Sequence, residues 1–415
     1  MRHLEAPVSA QQRIVTLDIV RGFALLGILI MNMPGFVSSI FIEADGSHLW
    51  SSPIDRAAEL ARDMLFSGKF NSMFSLLFGI GFTIQFARME QLAPGHATHL
   101  YLRRLLILLA IGLVHAMFFW TGDVLHVYAV LGLLLLLVMR QMSDRAIVAL
   151  IVLLLVYPAI SGVVRLLVVT PDITAMRVAQ AQAFEASNNL AYGGGTFIAA
   201  AREHMREFAH FYDNVWSLWG TLGFYVQMAT TMLLGVLVGR HRLAQRIPEL
   251  LPSIRRIQGW ALSVGLVCAL TFGIIFEIQR TPGPTPLKVL GSLAYTISRP
   301  SLMIFYVLTI VRLAQLPSWQ ARFAPIAATG RMPLTNYLMQ TLICTTLMYG
   351  WGFGLWGTVG PAGQLLLAFA IFFVIQVPLS ILWLRRFEYG PLEYLWRVAT
   401  YGRMRFKPAG VPAST

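Results

Sequence analysis

Ten apolar stretches of about 20 residues each, separated by polar loops, dominate the chain. They cover residues 14–35, 64–86, 102–120, 123–139, 146–167, 215–239, 257–276, 289–311, 325–350 and 365–384. A helix of about 20 apolar residues crosses the hydrocarbon of a bilayer, whereas a barrel strand needs only about 10 residues of alternating character. The pattern predicts an all-α, polytopic membrane protein with about ten transmembrane helices, in which residues 1–415 form a single transmembrane helical domain.

The composition agrees with a lipid environment. The chain is 57% hydrophobic and only 12% charged, and soluble proteins keep about a quarter of their residues charged. Both cysteines, Cys268 and Cys344, lie in apolar stretches, so the sequence predicts neither a disulfide framework nor a CxxC metal site. The nine histidines form no HxxxH or HExxH pair, and we expect no bound metal.

The basic residues indicate how the chain is oriented. With the N-terminus in the cytoplasm, the loops on the cytoplasmic side carry 20 Lys and Arg residues and those on the other side carry 8. This asymmetry follows the positive-inside rule and predicts that both termini are cytoplasmic. It also explains the net charge of +13 without a nucleic-acid partner. The long segment 168–214 is then external, with helix-like pieces at 174–187 and 196–212.

Ionisable residues inside a membrane are costly, and they are therefore candidates for a functional site. In the first stretch, Asp18, Arg21 and Asn32 fall on one stripe of the helix. Gly22 and Gly27 would let neighbouring helices approach closely, so we expect this stripe to face the interior. An ion pair between Asp18 and Arg21 that merely anchors the helix is the simpler alternative.

A histidine and an aspartate flank the turn between the third and fourth stretches. His115 lies near the end of one helix and Asp123 at the start of the next, with Thr121-Gly122 between them. A carboxylate that orients an imidazole and stabilises its cation is the arrangement that a general base needs. A purely structural hydrogen bond that closes the hairpin is the alternative, and His126 is a rival for the same role.

Four further polar residues in or beside the apolar stretches need partners. Lys69 enters the second stretch from the outer side, where snorkelling would explain it. Arg299 precedes Pro300 in mid-helix and would need an anion or a carbonyl partner. Arg331 and Asn336 open the ninth stretch, where Arg331 can bind a phosphate or serve as another topology anchor.

Five segments resemble the YeiB-like family of bacterial inner-membrane proteins, a family defined as a domain of unknown function. They are LDIVRGFALLGILIMN at 17–32, FSLLFGIGF at 74–82, the stretch from LRRLL to AVLGL at 102–133, GRMPLTNYLMQTLICTTLMYG at 330–350 and FEYGPLEYLWR at 387–397. The resemblance runs in order over nearly the whole chain. Within it, His115 and Asp123 match a GxxHxxxxWxGD pattern, and Asp18, Arg21 and Asn32 match the first-helix motif.

The resemblance extends to a larger group of transmembrane acyltransferases, which includes heparan-α-glucosaminide acetyltransferase and the acyltransferase-3 proteins. It implies transfer of an acyl group from cytoplasmic acyl-CoA to a sugar, lipid or small-molecule acceptor at the outer face of a bacterial inner membrane. His115 and Asp123 would then serve the acceptor, and Asp18, Arg21, Asn32, Arg331 and Asn336 the acyl-CoA. Heparan-α-glucosaminide acetyltransferase, which is a lysosomal enzyme, uses a histidine in a context similar to that of His48. For the catalytic histidine of this chain we nevertheless prefer His115.

A transporter or exporter of an anionic or lipidic small molecule is the alternative function, with Lys69 and Arg299 at its binding site. The active site of an enzyme needs polar groups that converge on one point, whereas the binding site of a transporter is typically formed by a duplicated pair of broken helices. The sequence shows more of the first pattern. It leaves the oligomeric state open, and a homodimer is among the arrangements it allows.

Overall fold

A computed structural model describes residues 15–402; the basic residues Arg2, Arg13, Arg403, Arg405 and Lys407 used in the topology count lie outside it. Sixteen α-helices make up most of this range. They are α1 (Val15–Val37), α2 (Pro53–Leu65), α3 (Lys69–Leu92), α4 (Ala97–Phe118), α5 (Leu125–Leu137), α6 (Asp144–Val168), α7 (Pro171–Asn188), α8 (Phe197–His210), α9 (Val215–Arg240), α10 (Ile247–Ile278), α11 (Pro286–Leu313), α12 (Pro317–Gly330), α13 (Pro333–Met348), α14 (Pro361–Ala370), α15 (Val377–Leu384) and α16 (Pro391–Tyr401).

The expected all-α polytopic membrane fold is confirmed. Eight helical segments within residues 15–402 are long and apolar enough to cross a bilayer, and no strand is present in that range. Helix α1 is central and packs against α3, α11, α12, α13 and α14. Helix α6 is peripheral, since Ile147 is its only fully buried residue, and its apolar surface suits contact with lipid.

Two of the ten predicted spans are shorter than expected. The stretch 123–139 forms only the 13-residue helix α5, which is about 20 Å long and falls short of a hydrocarbon core of about 30 Å. The stretch 325–350 is divided between α12 and α13 at Arg331-Met332. Pro333 causes the division, because proline removes a backbone N–H and disfavours helical geometry at the preceding residue.

The two ends of the bundle are distinct. The start of α1 and helix α16 meet at one end, where Asp18 and Trp396 line the same cavity; we call this the terminal end. Helices α7 and α8 cover the opposite end, where the Asn188 amide donates to Ser39 just beyond α1. The helix-like pieces expected at 174–187 and 196–212 coincide with α7 and α8. The orientation predicted from the basic residues puts the terminal end on the cytoplasmic side.

Helices α1 and α12 cross at two glycines. A Cβ atom added to Gly330 would lie 1.9 Å from the carbonyl oxygen of Asp18, and one added to Gly22 would lie 2.2 Å from that of Ile326. Both contacts are far below van der Waals distance, so the crossing requires residues without side chains. The crossing fixes Asp18 beside Arg331, the residue after Gly330, at the terminal end.

Candidate functional site

His115 and Asp123 meet across the α4–α5 hairpin. Gly112 makes this possible, because a Cβ atom there would lie 2.4 Å from the backbone nitrogen of His126, so the two helices touch backbone to backbone. The imidazole Nδ1 of His115 lies 2.8 Å from one carboxylate oxygen of Asp123, and both residues are buried. The pair predicted from the sequence spacing is therefore in hydrogen-bond contact.

Asp123 also holds His126, the rival candidate. Its second oxygen accepts the backbone N–H of His126 at 2.9 Å and lies 2.8 Å from the Nδ1 atom of that ring. The Nε2 atom of His126 contacts the hydroxyl of Tyr212 at 3.2 Å, which in turn contacts that of Tyr225 at 3.3 Å. Tyr212 is 39% exposed, so polar contacts lead from Asp123 to the surface at the opposite end.

The other nitrogen of His115 faces helix α13. Its Nε2 atom lies 2.9 Å from the hydroxyl of Thr341, so Asp123, His115 and Thr341 form a carboxylate–imidazole–hydroxyl series. One turn earlier, the ring of Tyr337 packs 5.4 Å from the His115 ring, and its hydroxyl accepts the N–H of Val124 at 3.3 Å. The sequence analysis did not select Thr341 or Tyr337, since neither carries a charge or forms a local motif with His115.

A cavity of about 290 Å³ runs from the terminal end toward this cluster. Along α1 it extends from Asp18 to Ile28, about 15 Å at the helical rise of 1.5 Å per residue. Its body is mainly apolar, with walls formed by Phe74, Leu77, Phe78, Leu105, Leu108 and Leu125. Val124 and Tyr337 line its inner part, and they lie between the cavity and the His115–Asp123 pair, neither of which lines it.

The mouth of the cavity is basic. Arg21, Arg104, Arg331 and Arg397 line it, together with only two carboxylates, those of Asp18 and Glu393. Arg21 is held by a 2.7 Å ion pair with Asp18, and the guanidinium of Arg104 stacks 3.6 Å from the centre of the Trp396 ring. Such a mouth attracts anions, and arginine binds phosphate oxygens through paired donors.

Glu393 fixes one side of this mouth by capping α13. Its carboxylate accepts the N–H of Leu334 at 2.6 Å and both the N–H and the hydroxyl of Thr335, at 3.0 and 2.6 Å. A carboxylate at a helix N-terminus satisfies orphan donors and is stabilised by the helix dipole. Burial nevertheless raises the pKa of Glu393, and the hydrogen bonds from Thr335 and Leu334 oppose that rise.

Two of the residues assigned to acyl-CoA do not line the cavity. Asn32 is half-buried, farther along α1. The Asn336 amide donates to the carbonyl of Thr329 and to the hydroxyl of Ser380, at 3.2 and 3.0 Å, and the side chain of Gln376 donates to the Asn336 carbonyl at 2.8 Å. Asn336 thus joins α13 to α15 and to the π-helical turn Ile371–Gln376 that precedes α15.

Lys69 and Arg299 are both buried, and both are bonded to neutral partners. Lys69 donates to the carbonyl of Asp63 at 3.2 Å, and Arg299 donates to the side chain and, at 3.1 Å, to the carbonyl of Gln227. Helix α11 continues through Pro300, so the broken helix that a transporter would favour is not found there. Neither cation lines the cavity described above.

His48 lies apart from this cluster, in the loop between α1 and α2. Its ring nitrogens are 4.0 Å from Glu43 and 3.9 Å from Glu277. Burial and the nearby guanidinium groups of Arg280 and Arg56 lower the pKa of His48. Its surroundings are the charged loops of the opposite end, so it does not share a site with His115.

A second buried polar cluster, which the sequence analysis missed, connects the hairpin turn to α8. The hydroxyl of Thr121 donates to Glu207 at 2.6 Å and contacts the His204 ring at 3.0 Å. The same ring contacts the hydroxyl of Tyr192 at 2.9 Å. Its members lie up to 86 residues apart in the chain, so no sequence spacing could have revealed it. It fastens α8 over the His115 hairpin.

Fold and site together define a multi-pass α-helical membrane protein with a basic-mouthed apolar cavity and a buried histidine–aspartate pair beyond it. Residues 238–403 match the family described as a protein of unknown function, DUF418. The chain is 30% identical over 407 residues to the uncharacterized protein YxaH of Bacillus subtilis (strain 168), covering 95% of this chain and 96% of that protein. It therefore belongs to the YeiB-like DUF418 family.

Two further relatives match along the same length. The uncharacterized protein YeiB of Escherichia coli (strain K12) is 29% identical, with 94% of this chain and 96% of that protein covered. An uncharacterized 39.9 kDa protein encoded in the amylase 3′ region of Bacillus acidopullulyticus is 27% identical, with 96% of both chains covered. All three relatives come from bacteria, and their names carry no activity.

Proposed function

We propose that the protein is an acyltransferase of the bacterial inner membrane. It moves an acyl group from cytoplasmic acyl-CoA to a hydroxyl or amine of a sugar, lipid or small-molecule acceptor at the outer side. The observation that carries this proposal is the amphipathic cavity, which has a basic mouth, an apolar body and an inner part lined by Tyr337 beside His115.

The cavity suits the donor in both polarity and length. Phosphate groups of CoA would pair with the arginines of the mouth, chiefly Arg21 and Arg331. The pantetheine arm and acyl chain would occupy the apolar body, where burial of about 25 cal/mol per Å² of apolar surface favours binding. About 15 Å of depth separates Asp18 from Ile28, so the arm would carry the thioester from the mouth into the inner part of the cavity.

His115 is the proposed base, and Asp123 holds its ring and stabilises its cation. The acceptor X–H gives its proton to the hydroxyl of Thr341, which passes its own proton to Nε2 of His115. The X atom then attacks the thioester carbonyl carbon, the carbon–sulfur bond breaks, and the CoA thiolate takes the proton back from His115. Opening of the Tyr337 layer must accompany the reaction, because this layer separates the thioester in the cavity from His115, which does not line it.

The acceptor would come from the side of α7 and α8. The contacts from Asp123 through His126 to Tyr212 and Tyr225 reach that surface. Buried hydrogen-bond networks of this kind hold their members in fixed geometry. They would keep the base oriented while one face of the cluster opens to the acceptor.

Radiolabelled acetyl-CoA and a panel of sugar and lipid acceptors, offered to the purified protein in vesicles, test the proposal. His115→Ala should lower the transfer rate by about 10²-fold or more, the usual contribution of a general base. Asp123→Asn should lower it less, since the base remains. His99→Ala is the matched control, because His99 is exposed on α4.

Thr341 separates the proton route from packing. Thr341→Ser keeps the hydroxyl and should retain most of the transfer rate. Thr341→Val has the same volume but no hydroxyl proton to pass on, and it should lose most of the rate. Unchanged rates in His115→Ala and Asp123→Asn would refute the assignment. Uptake of an unmodified labelled anion by the vesicles, without acylation of any acceptor, would replace it with transport.

A further inference from the structure

A second cavity, of about 450 Å³, lies at the opposite end of the bundle. It is lined by parts of α6, α7 and α11, by Phe276 of α10 and by the segment 210–217. This volume falls in the range of about 300–1,000 Å³ that is typical of small-molecule sites. It shares no lining residue with the acyl-CoA cavity at the terminal end.

Three basic side chains face this cavity. Arg165 comes from α6, Arg177 from α7 and Lys288 from α11, and no aspartate or glutamate is among the lining residues. Ion pairs in the described residues of this end join other cations, such as Arg206 with Glu203 and Arg280 with Glu277. Among residues 15–402, no carboxylate lies within 4.0 Å of any of the three.

The contacts that Lys288 and Arg165 make are with neutral groups, so these contacts do not neutralise the positive charge. Lys288 donates to the carbonyl oxygens of Thr281 and Gly283, and Arg165 lies 5.6 Å from the centre of the Trp219 ring. Arg165 and Arg177 are near enough to repel each other. Like charges gathered without counter-charges produce a positive potential that an anion relieves.

Topology does not account for the cluster. Only 8 loop cations are predicted on this side of the membrane, and three of them converge on one cavity. Cations that snorkel to the interface point outward around the rim. These three come from separate helices and face a common space, whose apolar walls include Phe41, Trp216 and Phe276.

We infer that this cavity binds an organic phosphate. Arg165, Arg177 and Lys288 would bind the phosphate oxygens, and Phe41, Trp216 and Phe276 would contact the organic part. The site is at the level where α6 ends and α11 begins, and both helices are long and apolar enough to span a bilayer, so their ends would lie at the depth of lipid headgroups. The phosphate therefore belongs either to an anionic lipid or to a soluble phosphate ester. The inference does not depend on acyl transfer.

Calorimetry on the full chain in an uncharged detergent distinguishes these sources. The probes are dioctanoyl phosphatidic acid, glycerol 3-phosphate and, as a neutral control, dioctanoyl glycerol. Binding of the first alone identifies a lipid headgroup site, and binding of both phosphates identifies a site for soluble esters as well. Dioctanoyl glycerol should not bind in either case. No binding of either phosphate, or equal binding of the neutral control, would overturn the inference.

Substitutions localise the binding. Arg165→Gln and Lys288→Gln should each weaken it about tenfold, the loss expected for one charge-assisted contact. Arg165→Lys should keep most of the affinity because it keeps the charge. Arg202→Gln is the matched control, since Arg202 is exposed on α8 at the same end and does not line the cavity.

Elution as a single species, with the wild-type melting temperature, identifies the variants that are folded. If folded Arg165→Gln and Lys288→Gln variants bind both phosphates as tightly as the wild type, the phosphate lies elsewhere and the inference is wrong. Equal weakening in Arg202→Gln would likewise overturn it, because the effect would then reflect net charge alone.

Discussion

The crossing of α1 and α12 makes Gly330→Ala a sensitive test of the fold. The added methyl carbon would lie 1.9 Å from the carbonyl oxygen of Asp18 and 2.7 Å from the nitrogen of Gly22. Real Cβ contacts are essentially never shorter than 3.0 Å, so the helices must separate by at least 1.1 Å. Both neighbouring atoms belong to the backbone, so no side-chain rotation can relieve the contact.

The expected loss of stability follows from two opposing effects. Overpacking of this kind costs about 1–3 kcal/mol, and we expect the upper end because whole helices must move. Replacing glycine by alanine within a helix recovers at most about 1 kcal/mol. For a chain of 415 residues, the net loss of about 2 kcal/mol corresponds to a fall in melting temperature of about 2 °C.

A buried thiol provides the assay. Cys344 is 0% exposed, so a thiol-reactive fluorophore reports unfolding on heating when Cys268 is replaced by serine. The matched control is Gly259→Ala on α10, where a Cβ atom meets nothing within 4 Å; it should melt at or slightly above the wild-type temperature. If Gly330→Ala has the same melting temperature as this control, the close crossing of α1 and α12 is wrong.

Three further outcomes are expected. Glu393→Ala should cost about 1–3 kcal/mol, measured through the same thiol, because the buried N–H of Leu334 and the part-buried N–H of Thr335 lose their acceptor. Tyr337→Trp should raise the KM for acyl-CoA by narrowing the inner part of the cavity, and it should also lower the melting temperature, because Tyr337 is buried and its hydroxyl accepts the N–H of Val124; an unaltered KM would place the donor elsewhere. A cysteine at Leu190, which is 78% exposed, should react with an impermeant maleimide in intact cells and one at Gln91 should not; the reverse result would invert the membrane orientation.

Donor binding and catalysis, the two parts of the acyltransferase proposal, can be tested separately. Loss of donor binding on Arg21→Gln or Arg331→Gln tests the mouth of the cavity. Loss of turnover without loss of donor binding on His115→Ala tests the base. If the protein binds acyl-CoA but transfers no acyl group, the cavity is still the donor site, and the assignment of His115 as the base is wrong.

The sequence alone determined the membrane class, the all-α fold and most helix positions. The physical reason is that a bilayer imposes a length of about 20 apolar residues on each span, and this length can be read directly along the chain. It also paired His115 with Asp123, because a tight hairpin brings residues eight positions apart together. The ion pair of Asp18 with Arg21 is equally local, since one helical turn separates the two residues.

Only the tertiary structure decided which of the polar residues share a space. Thr341 lies 226 positions from His115, and Glu393 caps a helix 59 positions earlier, so no local pattern could predict either contact. The structure also placed Asn336 against α15 instead of the cavity. Helices of similar hydropathy can pack in many orders, and the side chains that meet between them depend on close crossings such as that of Gly22 and Gly330.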